Sequence, residues 1–249
     1  MQGWRSVGFP PEPGEAGGLS QDVHVWLLDL DPPERVMRRL PETLDARERA
    51  RASAFLFRRD RTRYVATHGL VRYVLAGYLG GSASEVVYGY GRHGKPYLTV
   101  RGTRAALAFS VSHSANWCLC AVALKQEVGV DIEQIRADRD HMAIAERYFS
   151  RAERVAIRAL PATLRLRAFY DCWTRKEACL KASGDGLSVP LDSFDVPVAP
   201  DPLPVLARSE ADRHSPRLAT LPAVPGFAAA LAVAGRGGDV VALSLDPRD

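Results

Sequence analysis

No run of about 18 or more apolar residues occurs in this sequence, which excludes a hydrophobic membrane-spanning helix. The opening stretch, MQGWRSVGFPPEPGEAGG, does not pair a basic start with an apolar core, so no secretory signal is expected and residues 1–20 read as a loose tail. Cysteine is scarce, with four in 249 residues: Cys118, Cys120, Cys172 and Cys179. The C-x-C of Cys118 and Cys120 has no second C-x-C or H-x-x-x-H to complete four zinc ligands. The thiols are therefore expected as small buried hydrophobes of a reduced, cytoplasmic protein. Neither G-x-x-x-x-G-K-[ST] nor G-x-G-x-x-G is present, so any nucleotide must be held by side chains. No G-x-S-x-G elbow supports serine hydrolysis. No helix-turn-helix, zinc-finger or RNP-like pattern points to nucleic acid.

What is present suits a globular chain: 47% hydrophobic and 25% charged residues, enough for one large or two small domains. Net charge is +4, yet seven arginines fall between Arg47 and Arg63. That run is either a solvated helical face or a surface turned toward phosphates or an acidic partner.

Alternation and apolar runs predict strands at DVHVWLLDL, EVVYGY, LAFSVSHS, WCLCAVAL and VGVDI, with further strand-like pieces at SFDVPV, GFAAALAVA and VVALSL. Helical periodicity covers about residues 45–80 and resumes from about Asp140. Ser150 and Glu153 form an S-x-x-E capping box, and Pro161 opens a helix that ends near Gly184. The Pro/Ala-rich piece from Val198 to Pro225 reads mostly as loop. Each half thus runs strands, long helix, strands. The expected fold is α+β: two similar lobes, 21–124 and 125–249, each a small, mostly antiparallel sheet carrying a long helix.

Four blocks carry chemistry. In Gly129-Val130-Asp131-Ile132-Glu133 the two carboxylates share one strand face about 7 Å apart. They mark an exposed face or a hard-metal site. In Trp173-Thr174-Arg175-Lys176-Glu177-Ala178-Cys179-Leu180-Lys181, Glu177 and Lys181 are spaced i, i+4: an ion pair, or a third metal ligand beside a phosphate-binding cation. His113, in Ser110-Val111-Ser112-His113-Ser114, is a structural turn residue, a base, or a phosphate donor with a neighbouring hydroxyl. Gly94-Lys95-Pro96 is a turn presenting one point charge.

In this order and spacing, GKP, SVSHS, GVDIE and WTRKEACLK, with FYDCW and SGDGLSVPLDSF flanking the last, resemble the 4′-phosphopantetheinyl transferase superfamily, in its larger, pseudo-dimeric Sfp type. Ser110 departs from the Asn that many relatives place before V-S-H-S. The resemblance, from about Arg58 to Phe194, implies a monomer that transfers phosphopantetheine from coenzyme A to a serine of an apo-acyl or apo-peptidyl carrier protein, releasing adenosine 3′,5′-bisphosphate. It assigns Mg²⁺ to Asp131, Glu133 and Glu177, and catalysis to Glu177 and Lys181. Coenzyme A falls to Arg58, Arg63, Lys95, Ser112, His113 and Lys181, with Arg92 beside them. The general base is left between Glu177 and a water polarised by the metal and Glu133. Two other readings remain: a metal-dependent phosphodiesterase of nucleotide pyrophosphates, and a non-catalytic module binding coenzyme A or carriers.

Overall fold

The computed structural model describes residues 3–12, 14, 18–184, 188–198, 216–222, 224–235 and 238–246. In chain order its elements are β1 (Arg5–Gly8), β2 (Val23–Asp29), α1 (Glu34–Met37), α2 (Leu40–Thr43), α3 (Ala46–Ser53), α4 (Arg58–Leu79), β3 (Val87–Tyr90), β4 (Pro96–Val100), β5 (Thr103–Arg104) and β6 (Leu107–Ser114). They continue with β7 (Trp117–Leu124), β8 (Glu127–Gln134), α5 (His141–Tyr148), α6 (Arg151–Ala159), α7 (Ala162–Ser183), β9 (Arg217–Thr220), β10 (Phe227–Ala234) and β11 (Val240–Asp246). The strands form a five-stranded sheet ordered β1-β11-β2-β7-β6 and two three-stranded sheets, β8-β10-β9 and β3-β4-β5. No described helix is long and apolar enough to cross a membrane.

Period-two alternation builds four layers. On β2 and β7, Trp26, Leu28, Cys118, Cys120 and Val122 turn to α4, meeting Val65, Leu70 and Val74. Their alternates, Val25, Leu27, Leu119 and Ala121, meet Val128, Val130, Ile132 and Leu231 of the second sheet. That sheet's far face presents Ala228, Ala230 and Ala232 to Ala168, Cys172, Ala178 and Ala182 of α7. Small residues bring helix and sheet close: a Cβ at Gly129 would collide with the Ala178 carbonyl. Both long helices have 22 residues and stop at left-handed glycines, Gly80 (φ 69°) and Gly184 (φ 77°). Burying one large aliphatic side chain contributes about 1.5–3 kcal/mol, so the shared middle layer binds the lobes strongly.

The architecture mixes helices and small sheets in two lobes, as the α+β reading expects, with local departures. Arg5–Gly8 is not part of a loose tail: it pairs in parallel with β11 and buries Val7. The helical stretch 45–80 breaks at Ala54–Phe57 into α4 and a separate α3, which Asp45 and Glu48 open with a capping box. SFDVPV is not a strand: it leaves a single turn at Leu191–Ser193 and continues as irregular chain. Its backbone is satisfied by side chains instead, Arg175 bonding the Pro197 carbonyl (2.6 Å) and Glu153 the Val196 N–H (2.8 Å). Within the expected loop 198–225, β9 adds a strand beside β10, while residues 199–215 lie outside the described part. VVALSL, placed with the second lobe, instead enters the first sheet between β1 and β2.

Candidate active site

β6 and β8 are edge strands of different sheets, and three serines of β6 stitch them together. Ser110 Oγ accepts from the Val130 N–H (3.1 Å), and Ser114 Oγ accepts from the Gln134 N–H (3.0 Å). Ser112 Oγ donates to Asp131 Oδ1 (2.7 Å), and Ser114 Oγ donates to Glu133 Oε2 (2.9 Å). Positions i, i+2 and i+4 put all three hydroxyls on one face. The S-x-S-x-S pattern therefore satisfies an otherwise open sheet edge and aims two carboxylates.

Gly129, Asp131 and Glu133 face α7, whose Glu177 and Lys181 sit one turn apart. Lys181 Nζ lies 2.7 Å from Asp131 Oδ1. Asp131 is buried, and its Oδ2 has no hydrogen-bond partner. Burial, then the Asp131 charge, push Glu133 above the ordinary carboxylate range against the Ser114 bond. Burial and Asp131 push Glu177 the same way, offset in part by Lys181. Among the described residues no group of three or more His, Cys, Asp or Glu side chains is arranged to hold a metal ion by itself. The uncompensated negative charge and the orphaned Oδ2 nonetheless fit a hard cation whose remaining ligands come from a bound molecule.

Two cavities flank this cluster. One, of roughly 310 Å³, lies between residues 93–96, Phe109–Val111 and the Glu177–Lys181 turn of α7. The other, of roughly 700 Å³, is walled by Glu133, Phe169, Tyr170 and Trp173, and rimmed by Arg59, Arg63, Arg136 and Arg139. Of the residues singled out in the sequence, Asp131, Glu133, Glu177, Lys181, Ser112, Arg63 and Lys95 gather here. His113 lies on the same face of β6 as Phe109, which is buried in the core against α4, but is itself exposed. Desolvation and the Lys181, His68 and Arg63 charges push its imidazole below the ordinary range. Arg58 is exposed in the first turn of α4 and lines neither cavity; Arg59 does, sharing a helix face with Arg63. That i, i+4 spacing was the missed signal. Arg136 and Arg139, just beyond the second carboxylate, carried no motif.

A family model described as the 4′-phosphopantetheinyl transferase superfamily matches residues 127–232, and one for the 4′-phosphopantetheinyl transferase N-terminal region matches residues 30–141. The chain is 37% identical over 229 residues to the 4′-phosphopantetheinyl transferase HetI of Nostoc sp., covering 91% of this chain and 94% of the relative. It is 29% identical over 215 residues to the 4′-phosphopantetheinyl transferase Sfp of Bacillus subtilis, covering 85% and 92%. The chain belongs to the 4′-phosphopantetheinyl transferase superfamily. Within it, the protein is a transferase of the Sfp-type branch.

Proposed function

We propose that the enzyme transfers 4′-phosphopantetheine from coenzyme A to a serine of an apo-acyl or apo-peptidyl carrier protein, with Mg²⁺, and releases adenosine 3′,5′-bisphosphate. The observation that carries this reading is the buried, half-satisfied Asp131 between two cavities, with Glu133, Glu177 and Lys181 converging on it. The carrier serine oxygen bonds the phosphorus that bears pantetheine, and the bond from that phosphorus to the adenosine bisphosphate breaks. Asp131, Glu133 and Glu177 would hold the cation, which when bound neutralises charge on the pyrophosphate. Lys181 bonds Asp131 in this structure and lines the smaller cavity, within reach of a phosphate oxygen, where it would stabilise the leaving group. The serine proton would go to Glu177, which lines the smaller cavity, or to a water polarised by the metal and Glu133. Arg63 and Arg59 offer bidentate partners to phosphates from the rim of the larger cavity. The chain supplies both lobes of the site, so we take the active species to be a monomer. Its four buried free thiols, all pushed up by burial, suit a reducing cytoplasm.

Mass spectrometry of several apo-carriers incubated with coenzyme A and Mg²⁺ tests the proposal. The expected result is addition of phosphopantetheine to the carrier together with adenosine bisphosphate. Release of adenosine bisphosphate without a carrier would make the protein a phosphodiesterase. Binding without transfer to any carrier would make it a non-catalytic module.

A further inference from the structure

The β3-β4-β5 sheet carries the GKP turn and forms one wall of the smaller cavity. Toward the first lobe it is held by Leu98, fully buried in the α4 core. Toward the second lobe its charged links converge on Glu127, the first residue of β8. Glu127 Oε2 accepts from Lys95 Nζ (2.8 Å), in the β3–β4 turn, and Oε1 accepts from Arg104 (2.7 Å), the last residue of β5. One carboxylate therefore grips both ends of the small sheet. Arg104 also lies 4.9 Å over the Tyr97 ring, which fills the space above Gly89 and ties β5 to β4 and β3. A weaker contact pairs His93 with Ser188 (3.2 Å).

Lys95 Nζ has two more partners, the carbonyls of Val128 (3.3 Å) and Ala182 (3.2 Å). The second lies in the last turn of α7, where carbonyls have no helical donor and the helix dipole favours a cation. An ammonium has three N–H groups. Three protein acceptors, on two elements of the second lobe, use them all.

We infer that Glu127 is the anchor that sets this sheet over the cavity, and that Lys95 serves coenzyme A as a positioning residue, through the turn it fixes, and not as a phosphate ligand. The inference rests on the reading that the cavity takes coenzyme A. The competing arrangement, in which Glu127 merely restrains a phosphate-binding Lys95, predicts an effect of opposite sign.

Glu127→Gln keeps the shape and removes the charge. As an anchor, its loss should raise KM for coenzyme A about three- to tenfold, the range that two half-exposed ion pairs can supply. It should leave kcat within about twofold and speed amide exchange across residues 90–98. Lys95→Met should have the same two effects, and the double variant should be no worse than the worse single one, because both changes break one joint. A lower KM in Glu127→Gln, or unchanged exchange there, would overturn the inference. So would a Lys95→Met variant with weakened coenzyme A binding and unchanged exchange. Amide exchange is read without substrate, so a wild-type protein that transfers nothing would defeat the transferase reading while the anchor is still tested.

Discussion

Lys176→Met should destabilise the enzyme severely without entering its chemistry. Lys176 is fully buried, its Nζ 2.8 Å from Glu153 Oε1, and it donates to the carbonyls of Leu191 (2.7 Å) and Phe194 (2.5 Å). Glu153 is buried too and accepts from the backbone N–H groups of Ser150 (2.9 Å) and Val196 (2.8 Å). Removing the cation strands that carboxylate on two amides and leaves two carbonyls unmet. Breaking a buried pair from one side costs about 3–5 kcal/mol. At about 2–4 °C per kcal/mol for a chain of this size, Tm should fall by about 6–20 °C. The pair faces the 191–196 segment, whereas the next residue, Glu177, faces the cavity. Well below the new Tm, kcat and KM should therefore stay within about threefold of wild type. Adding Glu153→Gln should recover part of the loss, since the buried negative charge goes with it. Calorimetry of the two variants beside wild type reads this directly. A Tm for Lys176→Met within 2 °C or so of wild type would refute the reasoning. A collapse of kcat at unchanged Tm would place Lys176 in the chemistry.

Asp131→Asn should lower transfer about 10²–10³-fold, measured by intact mass of the carrier, while Tm moves only a few degrees, because the amide keeps the shape and a partner for Ser112. Glu177 sits above the ordinary carboxylate range when folded, so its contribution to stability is present below that range and lost as pH rises through the folded pKa. In metal-free protein, Glu177→Gln should therefore match wild type near pH 4 and melt about 1–3 °C higher at pH 7; equal melting at both would contradict the assigned burial. Replacing Arg59 and Arg63 together by Ala should weaken coenzyme A binding about tenfold or more and flatten its dependence on salt, read by isothermal titration at two ionic strengths.

The layered core was readable because its cause is local. Alternation in DVHVWLLDL and WCLCAVAL dictates two buried faces, and two buried faces demand neighbours on both sides. The carboxylate pair was readable for the same reason, since Gly129, Asp131 and Glu133 repeat at period two. Two kinds of feature escaped. Lys176 and Glu153 lie 23 positions apart in unrelated segments, and a motif containing both K and E does not say which cation faces the core. SFDVPV has strand-like composition, but its backbone partners are side chains of α6 and α7. Only tertiary placement shows that. Likewise nothing in GRHGKPYL announces that the lysine's three protons are already taken.

The position of β11 has a consequence for synthesis. It lies between β1 and β2, pairing Leu243 with both Arg5 and Trp26. Strands made early are thus neighbours of one made about 200 residues later, and among the described residues β1 has no sheet partner until β11 has been made. At about 5–20 residues per second, the interval between making β2 and making β11 is of order 10–40 s. Through that time β2 and β7 can pair with each other and collect α4, but one edge of β2 stays open. The first lobe's sheet is begun by β2 and β7 and completed only by β11.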